Sequence, residues 1–259
     1  MIANLFGVIL RDTLEVELEP VSPLTLCVMT GSGSIRVDHK VEHKGDGVFQ
    51  VTARVTVRAS TEEQARTVMD TIRQDPPVAR RQEEVVVGDL QKYGLSSLRG
   101  VSVTVDFEIE APYDTALNLR SGSGGQRVRA LRGPVRAAAG SGAIVIEAVA
   151  QEVEATSGSG AITVRGARSA EARAGSGSLT LQNIEGHVNA RTGSGRIELE
   201  SSGGDLRADS GSGSIRVASA LPQGAAWRLR AASGSIEVSL PEGSSFALTA
   251  KTASGRVSV

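Results

Sequence analysis

The triplet Gly-Ser-Gly recurs along the chain, with its second glycine at Gly33, Gly124, Gly142, Gly160, Gly177, Gly195 and Gly213. From Gly124 onward the steps are 18, 18, 17, 18 and 18 residues. The first glycines, Gly122, Gly140, Gly158, Gly175, Gly193 and Gly211, keep the same register. Two looser copies, Ala232-Ser233-Gly234 and Ala253-Ser254-Gly255, continue at steps of 21. A fixed period of this length is the signature of a repeat architecture. Two and four residues after each second glycine stand aliphatic pairs: Ile144 and Ile146, Ile162 and Val164, Leu179 and Leu181, Ile197 and Leu199, Ile215 and Val217. Alternation of period two marks a short strand with one buried face. A second alternating set, such as Val135 and Ala137 or Val153 and Ala155, completes each unit.

A unit this short cannot bury its apolar face alone, so it must stack on its neighbours. The expected fold is all-β: a single-stranded β-helix, or β-solenoid, of about 18-residue coils rising ~4.8 Å each, with right-handed winding expected. Residues 116–259 form the repeat solenoid. Residues 1–115 form an N-terminal β region continuous with it, with a helix over 60–74. That helix is read from a capping box at Ser60 and Glu63 and an apolar face of Ala65, Val68, Met69 and Ile72. Asp75-Pro76-Pro77 stops it. Strands are expected over 13–19, 24–29, 48–58 and 101–109, and a mobile loop over 88–100. Arg129, Glu147 and Arg165 fall in one outward column, and Glu198, Arg216 and Glu237 in another, so opposite charges should meet across coils. Ser141, Ser159, Ser176, Ser194 and Ser212 should stack along one corner.

Of the 259 residues only 3% are aromatic while 30 are glycine, so the interior must be aliphatic. A net charge of −1 excludes a strongly basic nucleic-acid binder. Ile2 to Leu10 is too short to span a bilayer, which takes about 20 residues. It lacks a basic leader and reads as a buried first strand ended by Arg11 and Asp12.

The glycine triplets invite a phosphate-loop reading, but none is followed by Gly-Lys-Ser/Thr and each leads into a strand. Serial calcium sites need Asp where this chain has Ile or Leu. Solenoids can carry polysaccharide-active enzymes with paired carboxylates. Asp106, Glu108 and Glu110 share one strand face, and Asp205 lies near Asp209, but both groups read as solvated or arginine-paired acids. Trp227 is the only tryptophan available for a sugar subsite. His187 reads as a surface residue. His39 and His43, with Asp38 and Asp46, lack rigid ligand spacing. Cys27 reads as a packed thiol. No catalytic residue, cofactor or metal site is expected. Arg127, Arg129, Arg132 and Arg136 form a local basic cluster, a candidate surface contact for phosphate or an acidic glycan.

Several segments together carry a family resemblance. They are Thr30-Gly31-Ser32-Gly33-Ser34-Ile35, the helix running into Asp75-Pro76-Pro77, and Val105-Asp106-Phe107-Glu108-Ile109 before Ala111-Pro112. With the serial Gly-Ser-Gly-x-Ile repeats, the chain resembles the bacterial putative-adhesin β-strand-repeat family, a domain of unknown function, over nearly its whole length. The resemblance implies a β-helix in an exported or cell-envelope protein, with no catalytic residues to carry over. The functional expectation is a non-catalytic envelope solenoid acting as an adhesin-like binding or scaffold surface toward a cell-surface glycan or protein. The alternatives are a self-assembling, bactofilin-like scaffold and a polysaccharide-active enzyme. The chain ends on Val257-Ser258-Val259 in mid-strand pattern, so weak self-association through that end is a further expectation.

Overall fold

A computed structural model describes residues 7–19, 24–39, 49–94, 98–220, 222–244 and 247. Its repeating part runs through β8 (Ala116–Ser121), β9 (Gln126–Leu131), β10 (Val135–Ala139), β11 (Ile144–Ser157), β12 (Ile162–Ala174), β13 (Leu179–Ile184) and β14 (Val188–Thr192). It continues through β15 (Ile197–Ser202), β16 (Leu206–Ser210), β17 (Ile215–Ala218), β18 (Trp227–Ala231) and β19 (Ile236–Ser239). Each coil contributes one strand to each of two parallel sheets. The first sheet holds β9, β13, β15, β17 and β19 with the leading halves of β11 and β12. The second holds β8, β10, β14, β16 and β18 with the trailing halves of the same two long strands. About seven coils stack in this way, the arrangement of a β-solenoid.

The interior is the predicted ladder. Ile144, Ile162, Leu179, Ile197 and Ile215 pair in register and are fully buried. Ile146, Val164, Leu181, Leu199 and Val217 form the rung beside them. Burying a side chain of this size contributes roughly 1.5–3 kcal/mol, so stacked rungs replace the aromatic core that the composition denies.

The glycine corner explains the spacing of the triplets. The amide of each central serine donates to the first glycine's carbonyl one coil back, as from Ser141 to Gly122 at 2.9 Å and from Ser212 to Gly193 at 3.0 Å. A Cβ on Gly160 would sit 2.0 Å from the Gly142 carbonyl oxygen, closer than any side chain tolerates. The serine hydroxyls in the triplets point to solvent. The hydroxyls that link coils come instead from the residue before three of the triplets, Ser157, Thr192 and Ser210. Buried Ser157 donates to the Gly142 carbonyl and accepts from the Gly160 amide, at 3.2 and 2.9 Å. Thr192 and Ser210 repeat the arrangement.

The opposite corner is made by Ala130, Ala148, Gly166 and Asn183, all left-handed with φ between 54° and 70°. Three are not glycine, so this corner carries backbone strain that packing of the following Leu131, Val149 and Ile184 must hold.

The N-terminal third adds levels out of sequence order. Strands β2 (Thr25–Thr30) and β3 (Ile35–Asp38) form one coil around the Gly31-Ser32-Gly33 turn. That coil sits between β8/β9 on one side and β6 (Glu84–Val87) and β7 (Ser102–Glu110) on the other. The chain leaves β7 through 111–115 and enters β8, stepping over the β2/β3 coil. Strand β4 (Phe49–Ala59) pairs antiparallel with β7 and with β1 (Val8–Leu18), which forms the edge.

Arg11 and Asp12 lie in mid-strand of β1 and do not end it, and Ile9 is 47% exposed, so this is an edge strand and not a buried one. Helix α1 (Glu62–Gln74) lays Ala65, Val68, Met69 and Ile72 on the core side of β1 and β4. Its N-cap is Thr61, whose hydroxyl accepts from the Gln64 amide, and not Ser60. A hairpin, β5 (Val78–Arg81) with β6, and a single 3-10 turn at Gln91–Tyr93 follow. His43, Asp46, Ala253-Ser254-Gly255 and Val257 to Val259 lie outside the described residues.

Candidate functional site

The outward positions of two continuous sheets are the surface this fold offers. On the first sheet the expected charge columns form. Glu147 lies between Arg129 and Arg165, at 3.5 and 3.0 Å. Gln182 bridges Arg165 and Glu200 through its amide, at 2.8 and 2.7 Å. Arg216 meets Glu237 at 2.8 Å. These pairs are solvent-exposed and each contributes at most about 1 kcal/mol, so they align coils more than they stabilise them.

The acids weighed as catalytic candidates are engaged. Asp106 accepts from both the amide and the hydroxyl of Ser34, at 2.7 Å each. Glu108 is held by Arg54 at 2.7 Å and faces Arg36. Asp205 accepts from the Ala226 amide, and Asp209 is shared by Arg207 and Arg191. No acid–histidine pair is formed by these residues, and no group of three or more metal-ligating residues forms among the described residues. His187 is exposed, one residue before β14.

Two polar residues sit in less ordinary surroundings. Cys27 faces outward between buried Leu26 and Val28, so it is not a core thiol. Its Sγ donates to Glu84 at 3.2 Å, and burial with that carboxylate pushes the thiol up to about 11. A thiol held protonated is a poor nucleophile. Asp38 is pushed upward by burial, against the pull of Arg129 and Arg36, and its Oδ1 is buried without a hydrogen bond among the described residues. Next to it, His39 bonds the Ala111 carbonyl through Nδ1 and lies 5.1 Å from the Tyr113 ring.

The four arginines clustered in sequence are divided in space. Arg127 and Arg129 lie on the outer face of β9 in the first sheet. Arg132 turns at the corner, bound to Asp114 and over the Tyr113 ring. Arg136 lies on β10 in the second sheet against Glu154. A different set of arginines does converge. Arg173, Arg191 and Arg230 line one open groove on the second sheet together with Asp209 and the glycine corner. Each stands two residues before a triplet, so spacings of 18 and 39 residues in the sequence conceal one column in space.

Stacked parallel coils, a glycine edge and charged outer faces define the class: a two-sheeted β-solenoid with no enclosed cleft among the described residues. Residues 48–259 match the family described as Toastrack DUF4097, and the chain belongs to it.

Among solved structures, a putative adhesin from Bacteroides fragilis is similar at 15% identity and a TM-score of 0.56, covering 88% of this chain and 96% of that one. A putative adhesin from Parabacteroides merdae is similar at 12% identity and a TM-score of 0.41, covering 88% and 95%. At these identities the first likeness supports the fold. No curated protein matches the chain. Among the described residues no helix is long and apolar enough to cross a membrane.

Proposed function

We propose that this chain is a non-catalytic, adhesin-like module of the bacterial cell envelope that binds through the outer face of its stacked coils, toward a cell-surface glycan or protein. The observation that carries the reading is the engagement of its outward acids. Asp106, Glu108 and Asp209, the best catalytic candidates, are all committed to arginines or backbone-anchoring bonds. A rigid surface therefore remains as the feature most suited to work. The solved structure with the same fold carries an adhesin name, which supports the reading. A glycan array screened with the purified protein, with product detection on every positive, tests it. Retained binding without turnover is the expected result, and product formation would overturn it.

A second reading, end-to-end assembly, is favoured by β19. Its Ile236 and Val238 are each 43% exposed at the last described level. Sedimentation over a concentration series, with electron microscopy of the concentrated sample, separates the two. Filaments would favour the scaffold, and a monomer the binding module.

A further inference from the structure

The outer face of the second sheet changes character along the stack. On its last four described levels it presents Arg173, Arg191, Arg207, Arg228 and Arg230 against Glu171 and Asp209. The acids do not balance the arginines. Glu171 is occupied by Arg173. Asp209 is divided between Arg207 at 2.8 Å and Arg191 at 3.6 Å. Arg191 Nε is left buried without a hydrogen-bond acceptor among the described residues. Arg228 and Arg230 have no ion pair there either. Parallel strands lie ~4.8 Å apart, so Arg191 and Arg230, two levels apart, stand about 10 Å from each other along the column.

The groove between them, of about 550 Å3, holds Asp209 at the intervening level and is walled by Gly193, Gly211 and Ala232, which lets a guest approach the backbone. On the first sheet the matching levels carry Arg196 and Arg216 against Glu198, Glu200 and Glu237, so the excess of positive charge lies on the second sheet.

We propose that this groove binds an anionic polysaccharide, seating its carboxylate or sulfate groups on Arg191 and Arg230. Guanidinium forks match such groups in bidentate geometry. The exposed Ser194 and Ser212 of the adjoining corner can meet sugar hydroxyls. A protein partner is less suited, because protein interfaces are anchored by aromatic and large apolar side chains, and the groove lining has none. Single-stranded nucleic acid would need aromatic platforms for its bases. The proposal rests on the binding-module reading above and names its ligand class.

The test uses the full chain with polygalacturonate, dextran sulfate, neutral dextran and single-stranded DNA, by calorimetry at low and moderate salt. At least one anionic glycan should bind and neutral dextran should not, and the affinity should fall with salt. The double variant Arg191→Gln/Arg230→Gln should bind at least tenfold more weakly with an unchanged melting temperature. Arg216→Gln on the other sheet should bind as wild type. Polygalacturonate and dextran sulfate separate carboxylate from sulfate as the anchoring group. Equal binding by the double variant, tighter binding of the DNA, or no binding to either anionic glycan would overturn the proposal. If the protein then still binds neutral glycans on the array, only this inference falls. If it binds no glycan or cell surface, the binding-module reading falls with it.

Discussion

Gly124 stacks directly on Gly33, although the whole N-terminal third of the chain separates them: a Cβ on Gly124 would lie 1.7 Å from the Gly33 carbonyl oxygen. The same contact repeats between Gly142 and Gly160, Gly160 and Gly177, and Gly195 and Gly213. Glycine is required at this corner by the proximity of the next coil, since none of these positions has a positive φ.

Gly160→Ala should therefore force two coils apart. Overpacking of this kind costs typically about 1–3 kcal/mol. Gly125→Ala is the control, because a Cβ there meets only the Ala143 carbonyl oxygen at an ordinary 3.6 Å. It should stay within about 0.5 kcal/mol of wild type. Urea denaturation of both variants checks this, and equal midpoints would show that the corner relaxes freely.

The inside and outside of a coil can be separated by neighbouring residues. Leu181 is 1% exposed between Val164 and Leu199, whereas Gln182 faces solvent between Arg165 and Glu200. Leu181→Asp buries a charge without a partner and should cost several kcal/mol, on the order of 3–5. Gln182→Asp should cost about 1 kcal/mol or less, because the new carboxylate loses a bridge but gains Arg165. Thermal melts that fall together would refute the interior assignment.

Where the repeat follows the chain, the sequence carried the fold. From Gly124 to Gly234 each coil stacks on the one just before it, so period and register are visible in a single string. The Gly33 triplet has the same local chemistry, yet its neighbours in space, β7 and β9, follow far later in the chain. Local pattern cannot encode which coil fills the gap. The β5–β6 hairpin carries no local turn signal, because Gln82 takes the left-handed turn position with φ 56°, where Asn or Gly is the usual residue. Ala130 and Ala148 hide the second corner for the same reason. Adjacency in sequence does not bring Arg127, Arg129, Arg132 and Arg136 together, because they are divided between the two sheets and the corner that joins them. The arginines that gather, Arg173, Arg191 and Arg230, share only their place two residues before a triplet.

Cys27 supplies a chemical check on the sheet face. Burial, more than its bond to Glu84, raises the thiol to about 11. At pH 8 it should hold about a hundredfold less thiolate than an ordinary cysteine. Alkylation by iodoacetamide in the folded protein should be slower than that of glutathione by a similar factor. Glu84→Gln should recover part of the rate, and unfolding in urea nearly all of it. Folded-state alkylation as fast as glutathione would place the thiol in open solvent.

The helix is tied to the edge strand by Asp12, which accepts from Arg73 Nε at 2.5 Å. That bond outweighs partial burial and holds the Asp12 carboxyl below its usual value. A carboxylate lowered in the folded state binds its proton more readily when unfolded. Its contribution is therefore fully present above the unfolded value of about 4 and disappears as pH falls through the lowered folded value. Asp12→Asn should melt a few degrees below wild type near neutral pH, and the gap should close on acidification below pH ~4. High salt should narrow the neutral-pH gap, since the Arg73 side chain is half exposed. Melts of both proteins across the acid range measure the convergence. A gap that persists undiminished to the acid limit would mean that Asp12 acts through shape and hydrogen bonding, and that its charge contributes nothing to docking the helix.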